Sequence, residues 1–221
     1  LRFSKHAPWY KHHRFQHYYS IFLYGLLTFN WAITTDFLQM KRYLKRKLSY
    51  GEFPNPKIEW TKLVITQVIY VSIWIVLPLL ILDIAWWKIL IGFFVMHYTA
   101  GVILSVVFQL AHVIDEADMP LPDKSGTMKN TWAIHQLFTT VNFSTKNRIV
   151  NWFTGGLNHQ VEHHIFPHIS HIHYTKISKI VRETAQEFNL PYNEYKTTRK
   201  AIIAHFKYLK EMGAQPNLQS A

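Results

Sequence analysis

The sequence predicts an all-α integral membrane protein, with a transmembrane helical hairpin, an interfacial helix and a cytoplasmic helical cap. Three observations predict it. Two stretches lack charge: Leu63–Leu82 has none in twenty residues, and Ile89–Ala111 is twenty-three residues in which only His97 titrates. At about 1.5 Å per residue, each reaches roughly 30 Å, the thickness of a hydrocarbon core. The cations avoid these stretches: they gather at Lys5, Lys11 and Arg14, at Lys41, Arg42, Lys45, Arg46 and Lys47, and between Lys196 and Lys210. That is how basic loops lie beside membrane spans. The third observation is a polar, histidine-dense region beyond His112 whose apolar residues recur at helical spacing.

Taken in chain order, residues 18–37 come first. They are apolar but carry Asn30, Thr34, Thr35 and Asp36, and both flanks are basic. Basic loops favour one side of a membrane, so this segment reads as a helix at the interface or re-entering it; a third full span is the competing reading. Residues 63–82 and 89–111 read as transmembrane helices, since neither has the polar face of a helix in a soluble core. Asp83–Lys88 separates them, with Trp86 and Trp87 suited to a headgroup belt. Residues 112–221 read as a cytoplasmic cap and tail, returned by an even number of spans to the side of the basic loops. Helices are expected over 176–188 and 196–212, with Gly213 and Pro216 as stop signals.

Composition narrows the function classes. The chain has 24 Lys and Arg against 13 Asp and Glu, a net charge of +11, and no cysteine. Lack of cysteine excludes a disulfide scaffold, a thiolate zinc site and a cysteine-ligated iron–sulfur cluster. No nucleic-acid motif accompanies the basic charge, so the expectation is no nucleic-acid partner.

Fourteen histidines remain to be explained. His6, His12, His13, His17 and His205 have nothing convergent around them and read as structural or surface residues. His97, inside a span, calls for a buried partner. The dense part runs from Gly155 to Tyr174. If residues 157–166 are helical, Gln160, His163 and His164 stand at i, i+3 and i+4 on one face, where imidazoles can aim at metal ions. Gly155-Gly156 would begin this helix and Pro167 would end it. His112, with Gln109 three residues earlier, closes the second span and can add a ligand.

Gly-Gly-Leu-Asn-His-Gln-Val-Glu-His-His-Ile-Phe-Pro at 155–167 closely resembles the third histidine box of membrane fatty-acid desaturases. Gln160 at its first position is similar to the front-end group, which adds a double bond between an existing one and the carboxyl end. Gln109-Leu-Ala-His112, Thr139-Thr140-Val141-Asn142-Phe143 and Gln16-His17-Tyr18-Tyr19 resemble further landmarks of the family. The resemblance implies one desaturase-like domain over 1–221. It further implies two iron ions with His112, His163, His164 and the box residue Gln160 among the ligands, and Asn158, Glu162 and Asn142 fixing the imidazoles. It also implies O2, an acyl-CoA or acyl-lipid substrate, membrane lipid around the spans and an external electron-donor protein of ferredoxin or cytochrome type. The metal site would lie on the cytoplasmic face of a bacterial inner membrane or the endoplasmic reticulum.

One departure matters. The family's two earlier boxes, His-x(3–4)-His and His-x(2–3)-His-His, are absent, and His12-His13-Arg14-Phe15-Gln16-His17 has the wrong order for either. The chain, which starts at Leu1, therefore reads as the C-terminal part of a desaturase, inactive alone. The alternatives are a related di-iron lipid hydroxylase or sphingolipid desaturase, and a zinc protease reading His159, Glu162 and His163 as His-x-x-Glu-His. A metal transporter is disfavoured because only His97 lies in a span and no repeat is present.

Overall fold

The uncharged stretches fold as helices that run past their apolar cores. The structure, a computed structural model, describes residues 1–46 and 55–214 of the chain; Lys47 and Pro216 lie outside the described residues. It is mostly helical and divides into two compact units, Ile21–Ser105 and Leu1–Ser20 with Val106–Ala221.

The unit Ile21–Ser105 holds the end of α1 (Gln16–Gly25), then α2 (Leu27–Lys45), α3 (Pro56–Ile81) and most of α4 (Trp86–His112). The first span starts earlier than expected from 63–82. Asn55 accepts from the Lys57 N–H at 3.0 Å and Pro56 takes the first helical position, so a polar turn precedes the apolar run. The wider π-type turn Ser72–Val76 lies ahead of Pro78, whose ring has no N–H to return to the preceding turn. The second span likewise exceeds 89–111, because Trp86, Trp87 and Lys88 already belong to the helix. Both α3 and α4 are long and apolar enough to cross a membrane.

The segment expected at 18–37 is helical and lies within a longer bent helix. It breaks at Leu26, where α1 and α2 meet at 57°. Glycine allows a close crossing here. A Cβ on Gly101 would lie 2.6 Å from the Gly25 carbonyl oxygen, and one on Gly25 would overlap the Tyr98 ring. Ser105 Oγ donates to the Tyr24 carbonyl at 3.2 Å. Small residues thus let two backbones touch, as in lipid-facing helix pairs. His97 has the partners its position requires. Thr28 Oγ1 spends its proton on the His97 carbonyl (2.8 Å), so it accepts from Nδ1–H (2.9 Å), and Nε2 accepts from Tyr70 O–H.

The other unit carries α5 (Trp132–Thr139), β1 (Asn142–Phe143), α6 (Arg148–Phe153), α7 (Gln160–Ile165), α8 (Tyr174–Glu187), β2 (Glu194–Tyr195) and α9 (Thr198–Ala214). In keeping with a helical fold there is almost no sheet among the described residues: β1 and β2, two residues each, pair in parallel, Asn142 opposite Glu194 and Phe143 opposite Tyr195. Residues 140–145 are all buried and form the spine of the unit. The Val141 N–H donates to the Ala111 carbonyl, Phe143 N–H to Asn158, and Ser144 N–H to Tyr195. Leu110, Ile114, Val141, Phe143 and Ala201 fill the core around this spine. α5 and α6 are short helices beyond those expected from the sequence.

The last helix passes through Gly213 rather than stopping there. That glycine is needed because a Cβ would overlap the His13 carbonyl. The helix end is capped by the chain's first residues: Arg2 donates to the Met212 carbonyl (2.7 Å), Trp9 Nε1 to Gly213 (2.7 Å) and Gln16 Nε2 to Leu209 (2.8 Å). Carbonyls that a helix leaves without partners are thereby satisfied from distant sequence.

Candidate functional site

The box begins with a turn that glycine makes possible. Gly155 and Gly156 hold φ of +59° and +79°, so they close α6 rather than open α7, contrary to the expected helix over 157–166. Their N–H groups return to the Trp152 and Asn151 carbonyls. A Cβ on Gly156 would sit 2.6 Å from that of His171. α7 starts only after His159 and ends at Ile165, before Pro167. Within it, Gln160, His163 and His164 have the expected i, i+3, i+4 relation.

His112 and His164 meet across Gln160. The Gln160 amide nitrogen lies 3.1 Å from Nε2 of each, and the two rings stand 4.9 Å apart, edge to face. Their far nitrogens point at acceptors: His112 Nδ1 at the Thr139 carbonyl (3.3 Å) and His164 Nδ1 at Gln136 Oε1 (2.9 Å). A carbonyl accepts only, so Nδ1 holds the proton and Nε2 offers its lone pair. Burial, then the neighbouring His112 and His163, pushes the His164 imidazole down to about 4, which keeps it neutral and able to ligate. His163 joins from the next position, its ring 5.7 Å from that of His164 and its Nδ1 3.3 Å from the Tyr174 hydroxyl.

These donors fit a metal in part. Two imidazole lone pairs converge, each with its other nitrogen tied, as metal-ligating histidines are held. Gln160 Oε1 is buried with no hydrogen-bond partner among the described residues, an acceptor suited to a cation. Yet among the described residues no three His, Asp or Glu side chains can hold a metal ion by themselves.

Asn158, Glu162 and Asn142, expected to fix the imidazoles, instead build the scaffold beneath them. Asn142 Oδ1 accepts from the Val161 N–H (2.9 Å) while its Nδ2 donates to Glu162 Oε2 (2.8 Å). The Tyr192 hydroxyl donates to Glu162 Oε1 (2.9 Å). Asn158 bonds the Phe143 carbonyl and accepts from Thr154 Oγ1. All three are fully buried. None of these bonds reaches His112, His163 or His164. The groups that do, Thr139 O, Gln136 and Tyr174, were missed. Thr139 O and Gln136 sit at and near the end of α5, and backbone acceptors carry no sequence signal.

The His159–Glu162–His163 motif does not present a general base. Glu162 is engaged by Asn142 and Tyr192, and His159 is buried with both ring nitrogens unbonded among the described residues. The site therefore reads as imidazoles and one amide gathered on a helical membrane protein.

Sequence comparison places this class. The fatty acid desaturase family profile matches residues 3–196, and the chain belongs to that family. It is 36% identical over 218 residues to an sn-1 linoleoyl-lipid 6-desaturase of Arthrospira platensis, covering 98% of this chain and 57% of the relative. The protein of the same name from Synechocystis sp. is 36% identical over 91% of this chain and 55% of its own length. An acyl-lipid (8-3)-desaturase of Physcomitrium patens is 34% identical, with shares of 93% and 42%. The chain thus spans about half the length of the curated relatives it matches. No solved structure matches it.

Proposed function

We propose that the intact protein is a front-end acyl-lipid desaturase and that this chain supplies the His112, Gln160, His163 and His164 share of a di-iron centre. The observation that carries the reading is the convergence of two Nδ1-anchored imidazoles on the box amide Gln160. The relatives' names, 6-desaturase and (8-3)-desaturase of lipid-linked acyl chains, support the substrate class.

Bound iron would supply the oxidising power: with O2, two protons and two electrons from an external ferredoxin- or cytochrome-type donor, the acyl chain would lose two hydrogens and two waters would form. The chain's own part is to hold ligands. The Thr139 carbonyl and Gln136 keep the His112 and His164 protons on Nδ1, which aims Nε2 inward and raises its basicity. The low proton affinity of His164 keeps protons from competing for that lone pair. The neutral amide of Gln160 meets both imidazoles through Nε2 and keeps Oε1 without a partner among the described residues, adding an oxygen donor to the cluster without adding a charge. For topology, α3 and α4 cross the membrane as a hairpin and α4 brings His112 to the cytoplasmic face. The bent α1–α2 helix lies at that interface, on the side of the basic clusters.

Changing His163 or His164 to Ala in the intact protein is expected to abolish double-bond formation and lower bound iron, while the protein stays in the membrane. Unchanged unsaturation in the host lipids overturns the ligand assignment. Gln136→Leu, which removes the acceptor behind His164, is expected to cost about 10- to 100-fold in iron affinity or activity.

A further inference from the structure

α6 is a six-residue helix with two unlike faces. Asn147 caps it, accepting from the Ile149 and Val150 N–H groups at 3.0 and 3.1 Å. Val150 packs against the core and Asn151 bonds Asn158 and the Thr145 carbonyl, so the inner face is spent on structure. The outer face is left uncovered: Ile149 is 75% exposed, Trp152 82% and Phe153 60%. Three large apolar side chains on so short a helix make a protruding hydrophobic tip.

The residues leading into α6 also line a cavity of about 250 Å³. Its wall includes Lys146, Thr175, Ser178, Lys179, Arg182 and Glu183. Arg182 is closed off by its ion pair with Glu194. Lys146 and Lys179 have no ion pair among the described residues, and only Glu183 opposes them. Arg148 adds a further cation at the start of α6. The volume lies just below the range of about 300–1,000 Å³ common for ligand pockets, which suits a phosphate headgroup rather than a whole lipid.

We propose that α6 and this basic pocket form a membrane-surface anchor: Ile149, Trp152 and Phe153 enter the headgroup layer, and Lys146 and Lys179 take the phosphate of an anionic phospholipid. Tryptophan favours that layer because its ring is apolar and its N–H is not. Lysine beside an anionic leaflet is attracted independently of the apolar contact. A bilayer is also the one partner always at hand for a chain that carries helices able to cross it. The anchor does not depend on which reaction the protein performs.

The chain has no cysteine, so single labelling sites can be introduced cleanly. Nitroxide labels on Ile149→Cys, Trp152→Cys and, as a control on an exposed loop, Lys124→Cys are placed in the full chain. Each is reconstituted into vesicles of phosphatidylcholine, with and without phosphatidylglycerol. Labels at 149 and 152 are expected to collide severalfold less with a water-soluble nickel chelate, and more with oxygen, than the label at 124. Phosphatidylglycerol should deepen them, and the Lys146→Glu/Lys179→Glu pair should remove that dependence while the apolar contact persists. Nickel access at 152 equal to that at 124 in both vesicle types overturns the anchor. Lipid-independent depth that the lysine pair does not alter overturns the phosphate site. Protection that arises only on adding an acidic electron-transfer protein makes the tip a protein-docking surface and overturns the proposal.

Discussion

The unit Ile21–Ser105 and the histidine-bearing unit solve one problem in opposite senses. In the first, the large apolar residues of α3 are outside: Leu80 is 78% exposed, Val68 59% and Ile69 52%. Its polar side chains His97, Thr28 and Tyr70 turn to one another. In the second, polar groups are at the centre. Gln16, Asn142, Asn158 and Glu162 are fully buried, and each is hydrogen-bonded. The difference teaches that burial follows the solvent. In lipid an exposed leucine costs nothing and a lone polar group a great deal, so polar residues are few and paired. The polar network around Asn142, Asn158 and Glu162 is stable because its members bond one another, since each unmade bond there is expensive.

The largest expected effect tests that network. Glu162→Ala strands the Asn142 amide and the Tyr192 hydroxyl, and leaving buried donors without an acceptor costs about 1–3 kcal/mol each. Thermal unfolding in detergent should show a melting point many degrees lower; an unchanged one would mean that Glu162 is not integral to the scaffold. The converse change is to put a charge where lipid is expected. Ile69→Arg, near the middle of α3, should cost about 2.5–3.5 kcal/mol of insertion, read by glycosylation mapping. If insertion is unaltered, α3 does not face lipid.

A smaller effect tests the close crossing in the apolar unit. Gly101→Leu forces a side chain against the Gly25 carbonyl, with an expected cost of about 1–3 kcal/mol in detergent stability. The same exchange at Gly92, where an added Cβ meets nothing within 4 Å, should be near neutral.

The smallest is a pH dependence carried by buried histidines of the polar unit. Burial holds the His205 imidazole below its ordinary value of 6.5, despite the opposing pull of the Val113 carbonyl. In the folded state it is neutral, so its contribution is complete above 6.5 and is lost as pH falls through the lowered folded value. Metal-free protein gains a second contribution from His164, lost between 6.5 and about 4. The melting point should therefore fall from pH 7.5 to pH 5, less steeply in His205→Gln. An identical slope in that variant would remove His205 from the account.

Some of the site was legible because its signal is local. Gln160, His163 and His164 share a face by helical spacing alone, and the uncharged stretches reveal α3 and α4 because only length and charge matter there. The start of α7 was misread because Gly155-Gly156 looks the same whether it opens or closes a helix; only positive φ at both decides. α5 and α6 were hidden because helices of eight and six residues carry only about two turns of periodicity or fewer. The supports of His112 and His164 were hidden for another reason: one is a main-chain carbonyl and the other, Gln136, is a glutamine unremarkable in sequence.

By itself the sequence determined composition-level and nearest-neighbour properties: where the chain is apolar enough for a bilayer, where cations avoid it, and which histidines share a helical face. These depend on residues a few positions apart, so no fold is needed to read them. The tertiary structure alone decided what brings residue 112 beside 160 and 164, residue 142 beneath 162, and residues 2, 9 and 16 onto the end of α9. Such pairings join groups from distant parts of the chain, and hydrogen bonds between them are set by three-dimensional packing, which no local pattern of residues encodes.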